Sequence, residues 1–171
     1  MTQYPEIEGI EFDEELGQGA HSIVFRGRHR GQACAVKLPK VKARWSRWIY
    51  REAVSLARVR HALLPAVLEV GEIEGLPYLV MELVDGRTLA DELSAGPISE
   101  VAAIAVGQQL ASVLMSVHEA RLVHRDVKSR NLIVERAGGA LRLVDFGVGR
   151  VLVECLVGHD EFVQSFSGTS R

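Results

Sequence analysis

The sequence predicts an α+β fold, with an antiparallel five-stranded sheet carrying one helix followed by a mainly helical part. Three observations predict it. Short apolar runs separated by glycine-bearing turns fill the first half of the chain. Apolar residues then recur at spacings of three and four between Arg44 and Arg60. A long helical stretch with few breakers follows Ser99.

Taken in order, Ile10–Leu16 reads as a strand leading into a glycine-bearing turn. Ser22–Gly27 follows it, with Ile23, Val24 and Phe25 at its centre. A turn at Arg30-Gly31-Gln32 precedes Ala33–Leu38, so these three strands form an antiparallel meander. The period then changes. Ala53, Leu56, Ala57 and Arg60 mark one face of a helix lying across the sheet, with Pro65 as its end. Ala66–Ile73 and Tyr78–Leu83 make a hairpin around Glu74-Gly75-Leu76-Pro77.

Beyond Asp85 the pattern turns helical. Thr88–Leu93 is a short helix broken by Gly96-Pro97. Ser99 is the N-cap of a long helix running to about Ala120, and Glu100 sits well against its positive end. Leu122–His124, a polar loop, Leu132–Glu135, a Gly138-Gly139 turn and Leu141–Val144 complete the readable elements. The linker falls near Leu83–Gly86, and a cleft between two such lobes is a natural nucleotide site.

Composition bounds the function. The chain has 171 residues, 47% apolar and 25% charged, which suits one globular domain and excludes disordered and fibrous classes. A net charge of -2 gives no overall bias towards nucleic acid or anionic membrane. The charge is unevenly placed, however. Arg26 to Arg60 holds eleven Lys/Arg and one carboxylate, Glu52. A basic face near a phosphate-handling site accounts for this better than a nucleic-acid groove, because no aromatic-studded motif accompanies it.

Cys34 and Cys155 lie far apart without Cys-x-x-Cys spacing, which argues against a disulfide scaffold or a zinc site. Cys34, inside Ala33-Cys34-Ala35-Val36, reads as a small core residue. Met1–Glu6 has no signal pattern. Val101–Val117 is interrupted by Gln108, Gln109 and two serines, and reads as a buried helix rather than a membrane span. The expected location is cytoplasmic.

Chemistry enters at Leu16-Gly17-Gln18-Gly19-Ala20-His21-Ser22. Two glycines between strands let the backbone approach a phosphate and offer it N–H groups, although a Gly-x-Gly hairpin is more often only a turn. It is not a P-loop, since no Gly-Lys-Ser/Thr ending follows. Thirteen residues after Val24, Lys37 closes an apolar run and needs a counter-charge, for which Glu52 is the candidate. The pair is either an ordinary salt bridge or, facing the glycine turn, a phosphate grip.

The strongest pattern is His124-Arg125-Asp126-Val127-Lys128-Ser129-Arg130-Asn131 followed by Asp145-Phe146-Gly147. Asp126 and Lys128 lie close enough for a carboxylate to orient a hydroxyl while an ammonium neutralises phosphoryl charge. Asn131 and Asp145 offer the hard oxygens that suit magnesium, which takes few protein ligands and fills the rest with water and phosphate.

Together these motifs resemble the protein kinase set: glycine loop, Ala-Val-Lys, helix Glu, His-Arg-Asp loop and Asp-Phe-Gly, in that order. The resemblance implies a protein-kinase-like fold, with an N-lobe and hinge at 1–84 and part of a C-lobe at 85–171. It implies that Gly17, Gly19 and Ser22 cover the phosphates of ATP, with Ser22 standing in for the third glycine. Lys37 would hold the α- and β-phosphates and pair with Glu52. Asp126 would be the catalytic base, with Lys128 beside it, and Asn131 and Asp145 would hold Mg²⁺. Val24, Ala35 and Ile133 would sandwich adenine, Glu82–Val84 would form the hinge, and Met81 would guard the back pocket.

Lys128 and Gly168-Thr169 are similar to the serine/threonine branch, while Ser129 stands where proline is frequent. Arg125 implies control by a phosphorylated activation segment, with Ser165 or Ser167 as acceptors and Thr169 bonded to Asp126 and Lys128. The family continues past Gly-Thr to an Ala-Pro-Glu element and further helices, so the resemblance implies a domain that stops within its activation segment.

Three functions follow as expectations. The first is phosphoryl transfer to a Ser/Thr hydroxyl of a protein substrate. The second is a kinase-like module that binds ATP without efficient turnover, or a partner that covers its apolar underside. The third and weakest is a small-molecule kinase of the aminoglycoside type, disfavoured by Arg125 and Lys128. Neither nucleic acid nor membrane is expected as a partner.

Overall fold

A computed structural model of the chain describes residues 5–40, 46–146 and 150–151. Gly147, Cys155, Ser165, Ser167, Gly168 and Thr169 lie outside the described residues. Two units divide the rest. One takes in the described residues up to Ala53 together with Val67–Leu83; the other takes in Val54–Ala66 and the described residues from Val84.

The first unit is built on a five-stranded antiparallel sheet. Its strands are β1 (Ile10–Gln18), β2 (Ser22–His29), β3 (Gln32–Pro39), β4 (Val67–Ile73) and β5 (Leu76–Glu82), in the order β1-β2-β3-β5-β4. Two of its hairpins close in two residues, because His29 pairs with Gln32 and Ile73 with Leu76. The turn residues Arg30-Gly31 and Glu74-Gly75 all have positive φ, between 51° and 81°. That is the mirror-image turn whose twist matches the strands, and glycine takes its second position at no steric cost. Leu76 and Pro77 therefore belong to β5 rather than to the turn.

β3 is buried from Cys34 to Leu38, since it is covered on both faces. Cys34, Val36 and Leu38 join Ile7, Ile10, Phe25, Tyr78 and Val80 in one apolar cluster. The alternate positions, Ala35 and Lys37, point to the opposite face. Cys34 is fully buried, and burial raises its thiol pKa above the ordinary value. It is the core residue its neighbours in sequence suggest.

Helix α1 (Ser46–Arg58) ends seven residues before Pro65. Its buried stripe is Ile49, Glu52, Ala53, Leu56 and, just beyond, Val59, whereas Ala57 and Arg60 are exposed. Ala53 and Leu56 of the expected stripe are thus buried, but its other edge runs through Glu52 and Val59 instead of Ala57 and Arg60, because arginine and alanine carry too little apolar signal to fix an edge. The turn after α1 is tied down within the second unit. Leu143 N–H donates to Leu63 O at 2.9 Å, and Leu63 N–H donates to His61 Nδ1 at 3.1 Å.

The second unit carries β6 (Gly86–Thr88), α2 (Leu89–Ala95), α3 (Glu100–Glu119), β7 (Leu122–Val123), β8 (Leu132–Glu135), β9 (Leu141–Leu143) and β10 (Arg150–Val151). Thr88 caps α2 by accepting from Asp91 N–H, and Ser99 caps α3 by accepting from Ala102 N–H. Gly96 ends α2 at φ 150°. α3 is not the buried helix its apolar composition suggests, since only Val113 and Val117 are fully buried. It is long and apolar enough to cross a membrane by length and composition alone. Its inner face packs on β7 and β9, and Gln109 Oε1 accepts the N–H of Leu141 at 2.9 Å.

The hairpin β8–β9 matters most. Leu132 pairs with Leu143, Ile133 with Arg142 and Val134 with Leu141. Its turn closes through Glu135 N–H to Ala140 O at 2.8 Å, with Gly138 and Gly139 at positive φ. On the other side β8 pairs with β6, where a β-carbon on Gly86 would collide with the carbonyl of Val134.

Candidate active site

In the first unit the residues expected to meet a nucleotide share one face of the sheet. Val24 lies directly opposite Lys37, and Ala35 directly opposite Met81. Directly opposed residues of antiparallel strands face the same way, as do residues two apart. Val24, Ala35, Lys37 and Met81 therefore stand together, on the side away from the apolar cluster. Met81 and Ala35 are buried, while Val24, Glu82 and Val84 are half-buried.

Lys37 Nζ donates to Glu52 Oε2 at 2.6 Å, and both residues are buried at 5% and 1% exposure. A charge taken this far from water survives only with a partner in good geometry. The pairing expected from sequence is present, and α1 exists in part to deliver Glu52.

The glycine turn has a different logic from the other glycines. A β-carbon on Gly27 would collide with the carbonyl of Glu11, so packing explains that residue. Around Gly17 a β-carbon would meet nothing within 4 Å, and its φ is not in the left-handed region. Gly17 is inside β1, opposite Val24, rather than in the turn. Neither the backbone nor the neighbours require glycine there, so the missing side chain leaves room for something outside the chain. Gly19 N–H donates to Ser22 O at 2.8 Å and closes the turn.

In the second unit Lys128 Nζ donates to Asp126 Oδ2 at 2.6 Å. Asn131 directs its amide nitrogen to Asp126 twice, at 2.8 Å to the backbone carbonyl and 3.0 Å to Oδ2. The amide orientation is thereby fixed, and Asn131 Oδ1 is the atom left to face a ligand. Asn131 ends a 3-10 turn, Ser129–Asn131, that the polar composition of the loop concealed.

Hairpin geometry brings the second hard oxygen alongside. Val144 N–H donates to Asn131 O at 2.9 Å, continuing the β8–β9 register by one step. Asp145 is the next residue. Fourteen positions in sequence collapse to neighbours, and the pair matches the oxygen donors that magnesium accepts. Ile133 lies on β8 beside them and is half-buried.

Two residues here hold backbone conformations that L-residues avoid: Arg125 and Asp145 both have φ 67°. Such strain costs about 1–3 kcal/mol and persists only when surroundings over-determine it. One buried imidazole does so for both. Asp126 N–H, just after Arg125, donates to His124 Nδ1 at 3.3 Å. His124 Nε2 meets Val144 O, just before Asp145, at 3.2 Å. A carbonyl only accepts and an amide only donates, so the neutral Nε2–H tautomer is forced.

Burial, above all, lowers the His124 pKa, against smaller raising effects from the Val144 bond and the Asp145 and Asp126 charges. The ring also meets Phe146 edge-on at 4.4 Å between centroids. His124 and Phe146 were visible as motif letters, but their joint role was not, because it depends on contacts of His124 with Val144 and Phe146, 20 and 22 residues away. Arg142 is another addition. It is buried, and its guanidinium donates to Glu135 Oε1 at 2.8 Å and to Leu64 O at 3.1 Å, bracing β9.

Comparison with known proteins agrees with this arrangement. The protein kinase domain family model matches residues 10–171. A probable serine/threonine-protein kinase of Clostridium perfringens is 31% identical over 155 residues, covering 86% of this chain and 22% of that protein. Myosin light chain kinase A of Dictyostelium discoideum is 33% identical over 165 residues, covering 92% and 55% respectively. Serine/threonine-protein kinase PrkC of Bacillus subtilis is 31% identical over 114 residues, covering 66% and 17%. The chain thus spans less than two thirds of the length of each of these relatives. With its motifs in place and the family model matched over all but its first nine residues, the chain belongs to the protein kinase family.

Proposed function

We propose that this chain transfers the γ-phosphoryl group of ATP to a serine or threonine hydroxyl of a protein, with magnesium as the metal. The observation that carries the reading is the cluster of Asp126, Lys128 and Asn131, with Asp145 set beside Asn131 by the hairpin.

In this reading Gly17, Gly19 and Ser22 lie over the triphosphate, in the space that the absent Gly17 side chain leaves. Lys37, steadied by Glu52, holds phosphate oxygens. Val24, Ala35 and Ile133 take the adenine, Met81 stands behind it, and Glu82–Val84 offers backbone groups to its edge. Asn131 Oδ1 and the Asp145 carboxylate would hold magnesium, which when bound supplies charge neutralisation at the phosphoryl oxygens.

Asp126 orients the acceptor hydroxyl and takes its proton as the oxygen bonds to phosphorus and the bond to the bridging oxygen breaks, releasing ADP. Lys128, bonded to Asp126, sets a positive charge beside the group in flight. Little covalent chemistry is asked of the protein, so positioning carries the rate.

Transfer of labelled phosphate to a serine/threonine peptide mixture tests the proposal. The expected result is magnesium-dependent labelling abolished by Asp145→Ala. ATP binding without transfer reduces the chain to a nucleotide-binding module, and the absence of both sinks the reading. A sharper arm is Gly17→Val, expected to weaken ATP binding while moving the melting temperature by less than about 2 °C.

A further inference from the structure

The three most exposed large apolar side chains among the described residues are Val101, Ile104 and Met115. All three lie on α3, and between Glu100 and His118 that helix carries no charged residue. A helix side that faces water is ordinarily charged or polar, so this side is not built as one.

Val101, Ile104, Gln108, Ala111, Met115 and His118 follow one another at alternating steps of three and four, and each of them is exposed. That spacing is the seam along which two helices pack as a coiled coil. Gly107 borders the seam near its middle. Glycine weakens a helix interior relative to alanine, and nothing lies within 4 Å of where its β-carbon would stand. Its own surroundings do not ask for glycine, but a second helix approaching the seam would use the room. Past Met115 the seam opens into a depression of about 460 Å³ lined by Met115, His118, Glu119 and Arg121.

Turned about a two-fold axis, the seam matches itself. Antiparallel pairing centred between Gln108 and Ala111 sets Ile104 of one copy against Met115 of the other, and Val101 into the depression beside His118. Gln108 falls against Ala111, where one polar seam residue fixes the register at some cost in stability. The axis makes each of these contacts twice. Charge selects the same arrangement. Glu100, in the first turn of α3, comes to the other copy's helix end, beside His118 and Arg121. Parallel pairing would set Glu100 against Glu100 and align the two helix dipoles.

We infer that this face of α3 is the interface through which two copies of the chain associate, antiparallel and about a two-fold axis. The seam is about 25 Å long at the helical rise per residue. One helix face of that length buries roughly 400 Å² per copy, half of the ~800 Å² typical of a stable complex. The dimer is therefore transient and concentration-dependent. It requires neither ATP nor phosphate transfer.

Sedimentation equilibrium of the full chain from about 10 μM to 1 mM tests the inference, since weak interfaces titrate in that range. The expected result is a mass that rises from one copy towards two. Ile104→Lys with Met115→Lys leaves one copy at every concentration, while the melting temperature of the dilute chain moves by less than about 2 °C. Glu100→Arg weakens association by about threefold to tenfold, and adding His118→Glu recovers most of the loss. Mixed Gln108→Cys and Ala111→Cys chains, mildly oxidised, form a 108–111 disulfide seen by peptide mass mapping. Ala103→Cys, exposed but off the seam, links to neither.

A single-copy mass throughout, association that survives Ile104→Lys with Met115→Lys, or absence of the 108–111 link overturns the inference. So does a monomer that floats with phosphatidylcholine vesicles, which assigns the face to lipid instead. Phosphate transfer by a chain that stays monomeric sinks the inference and spares the catalytic proposal, whereas a dimer without transfer does the reverse.

Discussion

Two lysine–carboxylate pairs in this chain share a separation of 2.6 Å and little else. Lys37 and Glu52 expose 6% and 1% of their side chains, whereas Lys128 and Asp126 expose 49% and 31%. The first is delivered by a central strand and a helix, so the scaffold must hold it whether or not a ligand is present. The second sits on a loop within reach of water, where screening removes most of its value to stability. Equal distance thus hides unequal function: one pair is woven into the fold and the other is held ready for a reactant.

The comparison is most open to attack at the buried pair. Glu52→Ala leaves Lys37 charged in a dry site and should cost about 3–5 kcal/mol in a denaturant titration. The double change Lys37→Met with Glu52→Leu should recover much of that loss, because two apolar side chains carry no desolvation penalty. A loss below 1 kcal/mol for the single change would place both pairs in one class.

An intermediate effect is expected at His124, which belongs to neither pair but positions the exposed one. The folded chain holds its pKa below the ordinary 6.5. The unfolded chain therefore binds a proton first as pH falls. Stability should be complete above about pH 6.5 and should decline as pH drops towards the lower folded value. Protonation would also put hydrogen on Nδ1, against the N–H of Asp126. His124→Gln should flatten this acid slope, as read by melting temperature across pH 4.5 to 7.5, on the order of a few degrees. A slope unchanged by the substitution would remove His124 from the account.

The smallest effect on stability is expected at Lys128→Ala, less than about 1 kcal/mol. Phosphate transfer should nonetheless fall by about 100-fold or more in the proposed reaction. A stability loss rivalling that of Glu52→Ala would erase the distinction between the pairs.

How much of this was legible in the sequence follows the range of each interaction. The sheet was legible because alternation and the Arg30-Gly31 turn are local signals. Lys37 with Glu52, and Asp126 with Lys128, were legible because a lone charge in an apolar run, or two charges in one loop, announces its partner. The end of α1 was not, because Pro65 is a strong stop signal that the chain reaches only after the helix has already finished. β6 and β10 are three and two residues long and contain no period to read. The bracing by His124, Gln109 and Arg142 spans 20, 32 and 78 residues, beyond any local pattern. Exposure of α3 was equally hidden, since apolar composition states what a helix can bury and not what is there to bury it.

The β8–β9 hairpin has one more consequence. Asn131 and Asp145 sit at its open end, while Gly138 and Gly139 form the far, exposed tip. Residues added at the tip lengthen only the bend, and the entropy of closing a longer bend rises slowly. The separation of the two oxygen donors is thereby insulated from the length of the segment that joins them. Variation in size at this point of the chain should be almost invisible to the chemistry, in the way that lengthening the handles of tongs beyond the pivot leaves the grip unchanged.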